Sequence, residues 1–150
     1  MKGHWNPLPP SIESGFTLLE VLLAISILCF GLLAVASMQV SAIRGNAFAS
    51  DVTEGSTLAA DKFEKLLNQG LADYEDPDLA DTDNDGGAGL DHDTTATADH
   101  NESQGNYRIF WNVAEDNILD NTKTIQVIVT WGDHGDTKEV SIEGIVPEIT

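Results

Sequence analysis

The sequence predicts an α+β fold in which one long N-terminal helix packs on a small antiparallel sheet in the C-terminal region. Three patterns lead to this prediction. Residues 21–40 carry no charge, apolar residues then recur at steps of three and four as far as residue 67, and apolar and polar residues alternate in two segments after residue 123. The first half of the helix is therefore expected to be apolar all round and the second half amphipathic.

The uncharged segment, VLLAISILCFGLLAVASMQV, is long enough to cross a membrane. At a rise of about 1.5 Å per residue it extends roughly 30 Å, the thickness of a bilayer core. Small residues at Ala34, Ala36 and Ser37 resemble the cleavage site of a secretory signal, which is the alternative. Against that alternative, helical periodicity continues beyond the segment and no proline occurs between Ser11 and Asp76. Gly70 is the expected end of the helix.

The C-terminal region predicts a meander of three or more antiparallel strands. The strand candidates are residues 107–113, 124–131 and 138–143. Residues 132–136, Gly-Asp-His-Gly-Asp, predict a turn that joins the last two candidates as a hairpin. In so small a domain, Trp111 and Trp131 are interpreted as core residues rather than binding residues.

The composition is strongly acidic. The chain has 25 Asp and Glu against seven Lys and Arg, a formal net charge of −18. Such a surface repels phosphates, so a nucleic-acid partner is excluded. It suits an exported, well-solvated surface or one that binds cations. The single cysteine, Cys29, rules out an intramolecular disulfide.

The most acidic segment predicts either a solvated, exposed loop or a calcium site. Residues 81–86, Asp-Thr-Asp-Asn-Asp-Gly, match the first half of a calcium-binding loop, in which alternate carboxylates converge on one ion. The second half departs from the pattern, since His92 occupies the position of the final glutamate. The candidate calcium ligands are Asp81, Asp83, Asp85, Asp91 and Asp93.

A single carboxylate, Glu20, lies at the head of the apolar segment. An acidic residue at the centre of a membrane helix costs about 2.5–3.5 kcal/mol on insertion scales, so its presence indicates a use. Residues 15–21, Gly-Phe-Thr-Leu-Leu-Glu-Val, together with the apolar segment, resemble the N-terminal motif of the type IV pilin superfamily. That superfamily includes pilins, minor pilins and the pseudopilins of type II secretion.

The resemblance implies processing and assembly. A prepilin peptidase would cleave after Gly15, the new N-terminus on Phe16 would be N-methylated, and Glu20 would pair with a terminal amine during filament assembly. The expected organisation is a leader (1–15), a transmembrane helix (16–43), its amphipathic continuation (44–70), an acidic variable loop (71–106) and an antiparallel β region (107–150), which together form a type IV pilin-like roll.

Within the superfamily, Gly31-Leu32-Leu33 and Met38-Gln39 resemble the PilV-type minor pilins. The expected function is a minor pilin that initiates or caps a type IV pilus. A minor pseudopilin of type II secretion is one alternative, and a calcium-dependent adhesive module at a pilus tip is another. An enzyme is not expected, because the sequence has no phosphate-binding glycine loop, no His-Glu-x-x-His motif and no nucleophile elbow.

The resemblance also implies partners and location. The expected partners are other pilins and minor pilins, contacted through the N-terminal helix, the prepilin peptidase and the inner membrane, with a tip adhesin as a further candidate. The chain would cross the inner membrane once with its C-terminal domain in the periplasm, and would then move to the pilus and the cell surface. No cofactor other than calcium is expected.

Overall fold

The computed structural model describes residues 15–82, 90–116 and 118–148. The chain divides into two compact units, with the boundary between Arg44 and Gly45. The first unit holds the N-terminal part of one helix, and the second holds the rest of that helix and a four-stranded sheet. This α+β arrangement confirms the fold class that the sequence predicted.

The helix, α1, spans Leu18–Ala72 and has 55 residues. It begins two residues after the expected start at Phe16 and ends two residues after Gly70. Two threonine hydroxyls within α1 bond to the helix backbone. Thr53 and Thr57 each donate a hydrogen bond to the carbonyl oxygen four residues earlier. A short 3₁₀ helix, Pro77–Leu79, follows α1.

The sheet is an antiparallel meander in the order β1-β2-β3-β4. Its strands are β1 (His100–Gln104), β2 (Tyr107–Glu115), β3 (Thr122–Asp133) and β4 (Asp136–Pro147). The last three confirm the strand candidates. The first lies inside the segment expected as an acidic loop, and its sequence, His-Asn-Glu-Ser-Gln, is polar throughout. Because β1 is an edge strand with four exposed residues, it has no apolar alternation by which a strand could be recognised.

The turn predicted between the last two strands is also confirmed. Asp133 pairs with Asp136, which leaves His134 and Gly135 as a two-residue connection. Both residues have positive φ, 51° and 96°. Two-residue hairpins of this kind favour a glycine because their central residues adopt left-handed conformations that match the twist of the strands.

The main core lies between the sheet and the second half of α1. Its sheet side consists of alternate residues of β2 and β3, namely Tyr107, Ile109, Trp111, Val113, Ile125, Val127, Val129 and Trp131. Both tryptophans are only 5% exposed, so the interpretation as core residues is confirmed. The helix contributes a stripe of buried residues at helical spacing, Gly55, Ala59, Lys62, Leu66 and Gly70.

Two glycines in that stripe bring the helix close to the sheet. A Cβ atom at Gly55 would lie 3.0 Å from Cζ3 of Trp131. A Cβ atom at Gly70 would lie 2.5 Å from Cγ1 of Val146 and 2.8 Å from Cδ1 of Leu79. Gly70 therefore serves as a packing point inside the helix, whereas the sequence pattern indicated a helix stop.

The opposite face of the sheet is also covered. Ala98, Phe110 and Ile128 form a second buried cluster there. The adjacent carboxylate of Asp99 accepts hydrogen bonds from the backbone N–H of Val113 (2.7 Å) and the hydroxyl of Thr82 (3.2 Å). The described part of the acidic segment thus hydrogen-bonds to the sheet through Asp99, while residues 95–97 are exposed.

Two of the five basic residues after Asp51 lie in the interior. Lys62 is 5% exposed, with Nζ 3.5 Å from the centre of the Trp111 ring and 3.2 Å from Glu102 Oε2. Lys123 is 2% exposed and lies 3.1 Å from Glu115 Oε1. Both buried ammonium groups are paired with a carboxylate, as buried charges require.

We predict that Gly70→Ala destabilises the folded domain, because the added methyl group would overlap Val146 and Leu79. Overpacking typically costs about 1–3 kcal/mol, and the better helix propensity of alanine returns up to about 1 kcal/mol, so a net loss of about 1–2 kcal/mol is expected. Thermal unfolding of the full chain in detergent, followed by tryptophan fluorescence, measures the change. Gly45→Ala is the matched control, because a Cβ atom there meets nothing within 4 Å. Equal melting temperatures for the two variants would contradict the packing role.

Candidate functional site

The first described residues form the candidate processing and assembly site. Gly15, Phe16 and Thr17 precede α1, and Glu20 lies in its first turn. All four are exposed, and Phe16 is 84% exposed. Gly15 has open space around its Cα atom, since a Cβ atom there would meet nothing within 4 Å. Gly15 and Phe16, on the two sides of the expected cleavage point, are therefore outside the helix and open to solvent, as a peptidase substrate has to be.

Thr17 caps the helix. Its hydroxyl oxygen accepts a hydrogen bond from the backbone N–H of Glu20 at 3.2 Å. Thr17 also accepts at its carbonyl oxygen from the N–H groups of Glu20 (3.1 Å) and Val21 (3.2 Å). The sequence Thr-Leu-Leu-Glu has the spacing of a capping box, in which a threonine and a glutamate three residues later mark a helix start. This helix-start signal is present in the sequence of residues 17–20 alone.

The position of the cap bears on the pairing that the resemblance implies between Glu20 and a terminal amine, because Phe16 would carry that amine after cleavage. Helical spacing of four residues would place both on one helix face. In the structure α1 begins at Leu18, so Phe16 lies outside the helix and this argument does not apply to the chain as it stands. What remains is the position of Glu20 in the first turn, where the partial positive charge of the helix N-terminus favours a carboxylate.

The helix that follows has the properties of a membrane anchor. Among the described residues, α1 is the one helix that is long and apolar enough to cross a membrane by length and composition. Its large apolar side chains are exposed from Leu18 to Ile43, which is the surface that lipid or neighbouring helices would cover. A carboxylate, Glu20, therefore lies at the head of an apolar helix, and an open glycine-phenylalanine junction precedes that helix.

Residues 11–36 match the family model of the prokaryotic N-terminal methylation motif. The chain therefore carries a prepilin-type motif. This methylation motif supports a type IV pilin-like family and, together with the apolar helix, membrane anchoring and association with a pilus. The motif points to a structural protein, and it suggests interaction with pilin subunits and processing by a prepilin peptidase. No curated protein and no solved structure matches the chain significantly.

The methylation motif lies outside the acidic segment, where the calcium ligands were expected. Two of those candidates, Asp83 and Asp85, lie outside the described residues. Of the others, Asp93 accepts hydrogen bonds from the backbone N–H of Thr95 (2.7 Å) and the hydroxyl of Thr97 (2.6 Å). These bonds, that of Thr97 first, lower the pKa of the Asp93 carboxyl.

No group of three or more His, Cys, Asp or Glu placed to hold a metal ion occurs in the part of the chain that the structure describes. Asp91 and Asp93 instead face β2, where their carbonyl oxygens accept from the side-chain amide of Asn112 at 3.4 and 3.1 Å. His92, between them, contacts Glu139 of β4 at 3.1 Å. Calcium binding by Asp81, Asp83, Asp85, Asp91 and Asp93 remains a prediction.

The second compact unit, Gly45–Thr150, contains a cavity that the sequence patterns did not indicate. It has a volume of about 360 Å³ and lies between α1, the β1–β2 turn and the end of β3. Asp51 and Glu54 of α1 line it together with Tyr107 and Trp131. The Tyr107 hydroxyl donates to Glu54 Oε2 (3.3 Å) and to the carbonyl oxygen of Asp51 (3.4 Å).

The cavity has a negative electrostatic character. Burial raises the pKa of the Tyr107 phenol above its ordinary value of 10.0, and the carboxylates of Glu54 and Asp51 raise it further. These four residues come from three places in the sequence. Only the folded structure brings them together, so no local pattern could have identified the site.

We predict that Thr17→Val opens the first turn of α1, because it removes the hydroxyl that accepts from the Glu20 amide. Loss of a helix cap costs about 1 kcal/mol, which corresponds to about fivefold faster amide exchange. Hydrogen exchange of the Glu20 amide, measured by NMR on the full chain in detergent micelles, is the readout. Thr17→Ser is the matched control and should keep the wild-type rate. Unchanged exchange in Thr17→Val would show that the hydroxyl does not cap the helix.

We predict that Glu54→Gln lowers the pKa of Tyr107 towards 10.0 without reaching it, because burial still acts on the phenol. A raised pKa in the folded state means that Tyr107 contributes full stability below about pH 10, and that this contribution is lost as the pH rises through the raised value. Phenolate absorbance against pH, measured in a Tyr74→Phe background, isolates Tyr107, since the chain has two tyrosines. Glu64→Gln on the same helix is the control. Identical titrations for both variants would refute the coupling to Glu54.

Proposed function

We propose that this protein is a minor subunit of a type IV pilus that takes part in initiating the filament or in forming its tip. The observation that carries the proposal is the methylation motif at residues 11–36, placed so that Glu20 opens an apolar helix long enough to cross a membrane. The motif directs the chain into a pilin-like pathway, and the soluble unit at its C-terminal side provides the surface that distinguishes one subunit from another.

The chemistry of processing follows from the open junction before α1. A prepilin peptidase cleaves the bond after Gly15, which leaves a new amine on Phe16 that is then N-methylated. This amine is a cation directly before an apolar helix, and an isolated charge drawn into the apolar part of a membrane is unfavourable. Glu20 of a neighbouring subunit can neutralise it within the assembled filament. Glu20 is thus proposed as an assembly residue.

The acidic surface supports a minor rather than a major role. After residue 50 the chain has 23 acidic and five basic residues, so adjacent copies would repel one another at close range. A subunit interspersed among others, or placed at one end of the filament, avoids that repulsion. The resemblance of residues 31–33 and 38–39 to PilV-type minor pilins agrees with this placement.

A minor pseudopilin of type II secretion is the second candidate, because the same N-terminal motif serves that pathway. A calcium-dependent adhesive tip is a third, based on the acidic residues 81–93. Deletion of the gene separates them. A pilus subunit predicts fewer surface pili with normal secretion, whereas a pseudopilin predicts impaired secretion with normal pili. Calorimetric titration with calcium chloride tests the third, which fails if millimolar calcium produces neither heat nor a change in melting temperature.

We predict that Glu20→Ala leaves membrane insertion and cleavage after Gly15 intact but reduces incorporation into filaments several-fold, because the amine on Phe16 of a neighbour loses its counter-charge. Immunoblots of sheared filaments measure incorporation, and mass spectrometry of the N-terminal peptide measures cleavage and methylation. Glu20→Asp keeps the charge and should retain partial incorporation. Normal incorporation of Glu20→Ala would refute the assembly role.

A further inference from the structure

We propose that the outer edge of β4 takes up an extended strand of another protein, whose side chains are apolar on one face and basic on the other. The part of the edge concerned is residues 140–146, which we call the open edge. The proposal goes beyond the proposed function and does not depend on it, because addition of a strand can be measured on the purified chain without a filament.

The open edge offers backbone hydrogen-bonding groups. The sheet order β1-β2-β3-β4 makes β4 an outer strand, and among the described residues its strand partner is β3 alone. In an antiparallel pair, every second residue of a strand directs its N–H and C=O groups away from the partner. The open edge therefore presents a row of such groups on the side away from β3. The backbone of another extended strand is the group that satisfies a row of this kind.

The open edge lacks the features that usually protect an outer strand, which are short length, proline, bulges and inward-pointing charges. The other outer strand, β1, has five residues and is polar throughout. In contrast, β4 has 12 residues, pairs with β3 without a break in register, and has its proline, Pro147, at its end. Its inward-pointing lysine, Lys138, precedes the open edge. The protection of β4 is therefore confined to its first half.

The core is incompletely covered at the open edge. Val127 and Val129 of β3 are completely buried. Their partners in β4, Ile142 and Val140, face the same core but are only partly buried. Because burial falls from the third strand to the fourth, the apolar layer of the sheet ends at β4 with some of its surface still open to water.

The helix continues this partly covered apolar surface. The ring of Phe63 lies directly over Gly144 of β4, where a Cβ atom would overlap it. Leu67, one turn further along α1, lies on the same helix face, and both side chains are only partly buried. On the other side of α1, Lys62 pairs with Glu102 of β1, so that edge of the core is polar. A strand added beside β4 would bury apolar side chains against Phe63 and Leu67.

The other face of β4 favours basic residues in the added strand. Alternation places Glu139, Ser141, Glu143 and Ile145 on that face. Glu139 contacts His92 at 3.1 Å, whereas Glu143 makes no ion pair among the described residues. Opposite charges on neighbouring strands stabilise a sheet. Lysine or arginine at alternate positions of the added strand would therefore lie beside these carboxylates.

The partner is expected to differ from this chain. If two copies paired their open edges antiparallel, with residues 140–146 opposite one another, each Glu143 would lie against the Glu143 of the other copy. Like charges directly opposite one another destabilise a sheet. The formal net charge of −18 adds repulsion over the whole surface.

The test uses the ¹⁵N-labelled full chain in detergent and a synthetic peptide of alternating lysine and valine. The peptide should shift the backbone amide resonances of residues 140–146 saturably and slow the exchange of those amides that point away from β3. A peptide with glutamate in place of lysine should bind at least about tenfold more weakly. A lysine-valine peptide that is N-methylated on every backbone nitrogen keeps the charge but cannot donate to the edge, and it should not bind.

A charge reversal on the protein provides the matched variant. Glu143 is exposed, so Glu143→Lys should leave the fold intact. It should weaken binding of the lysine peptide about threefold or more and strengthen binding of the glutamate peptide by a similar factor. Asp61→Lys makes the same change of charge on the side of α1 that faces β1, and it should change neither affinity.

Four outcomes would overturn the proposal. The first is no saturable shift at residues 140–146, and the second is equal binding of the N-methylated peptide, which would reduce the effect to charge attraction. The third is a larger response at β1 than at β4. The fourth is a dimer in sedimentation experiments whose amides are protected at the open edge, which would assign this edge to a second copy of the chain.

Discussion

The close approach of α1 to the sheet is the constraint on which the second compact unit depends. Gly55 and Gly70 remove side chains where the helix crosses the strands, and Ala59 between them is completely buried. Trp111 and Trp131 are buried at this narrow spacing, and Lys62 lies over the Trp111 ring and beside Glu102. The dispersion energy and the buried area at such a contact grow with the number of atoms brought within about 4 Å. A single added methyl group at this contact therefore changes the stability of the fold.

The structure separates two kinds of acidic residue. Those that fold the chain accept specific hydrogen bonds, as Asp99 does from Val113 and Thr82. Those that line the cavity, Asp51 and Glu54, have no cationic partner among the residues described. The first group explains how so acidic a segment can lie against a sheet, and the second leaves negative charge on the surface that no described basic residue neutralises. Net charge alone cannot distinguish the two groups, because both contribute equally to it.

Much of the fold was predictable because it rests on periodic patterns. Alternation from Ile125 to Trp131 identified the central strand, and the uncharged run after Glu20 identified the membrane helix. The strand β1 was not predicted. It pairs with β2, and its Glu102 forms an ion pair with Lys62 of α1. Neither contact leaves a pattern in the sequence of β1 itself. The cavity escaped for a similar reason, as its residues are far apart in the chain. Gly70 was misinterpreted because a glycine required for close packing looks like a glycine that ends a helix.

The cap at Thr17 has a consequence for maturation. The first turn of α1 is closed by a hydroxyl within the motif itself, on the C-terminal side of the proposed cleavage point. Removal of the leader would therefore leave the helix start already formed, with only Phe16 ahead of the capping residue. Proteolysis would change the charge at the end of the helix without requiring the backbone to refold. The newly exposed amine on Phe16 would then lie one residue before the helix cap, close to the membrane surface. From there it could pair with a carboxylate of a neighbouring subunit.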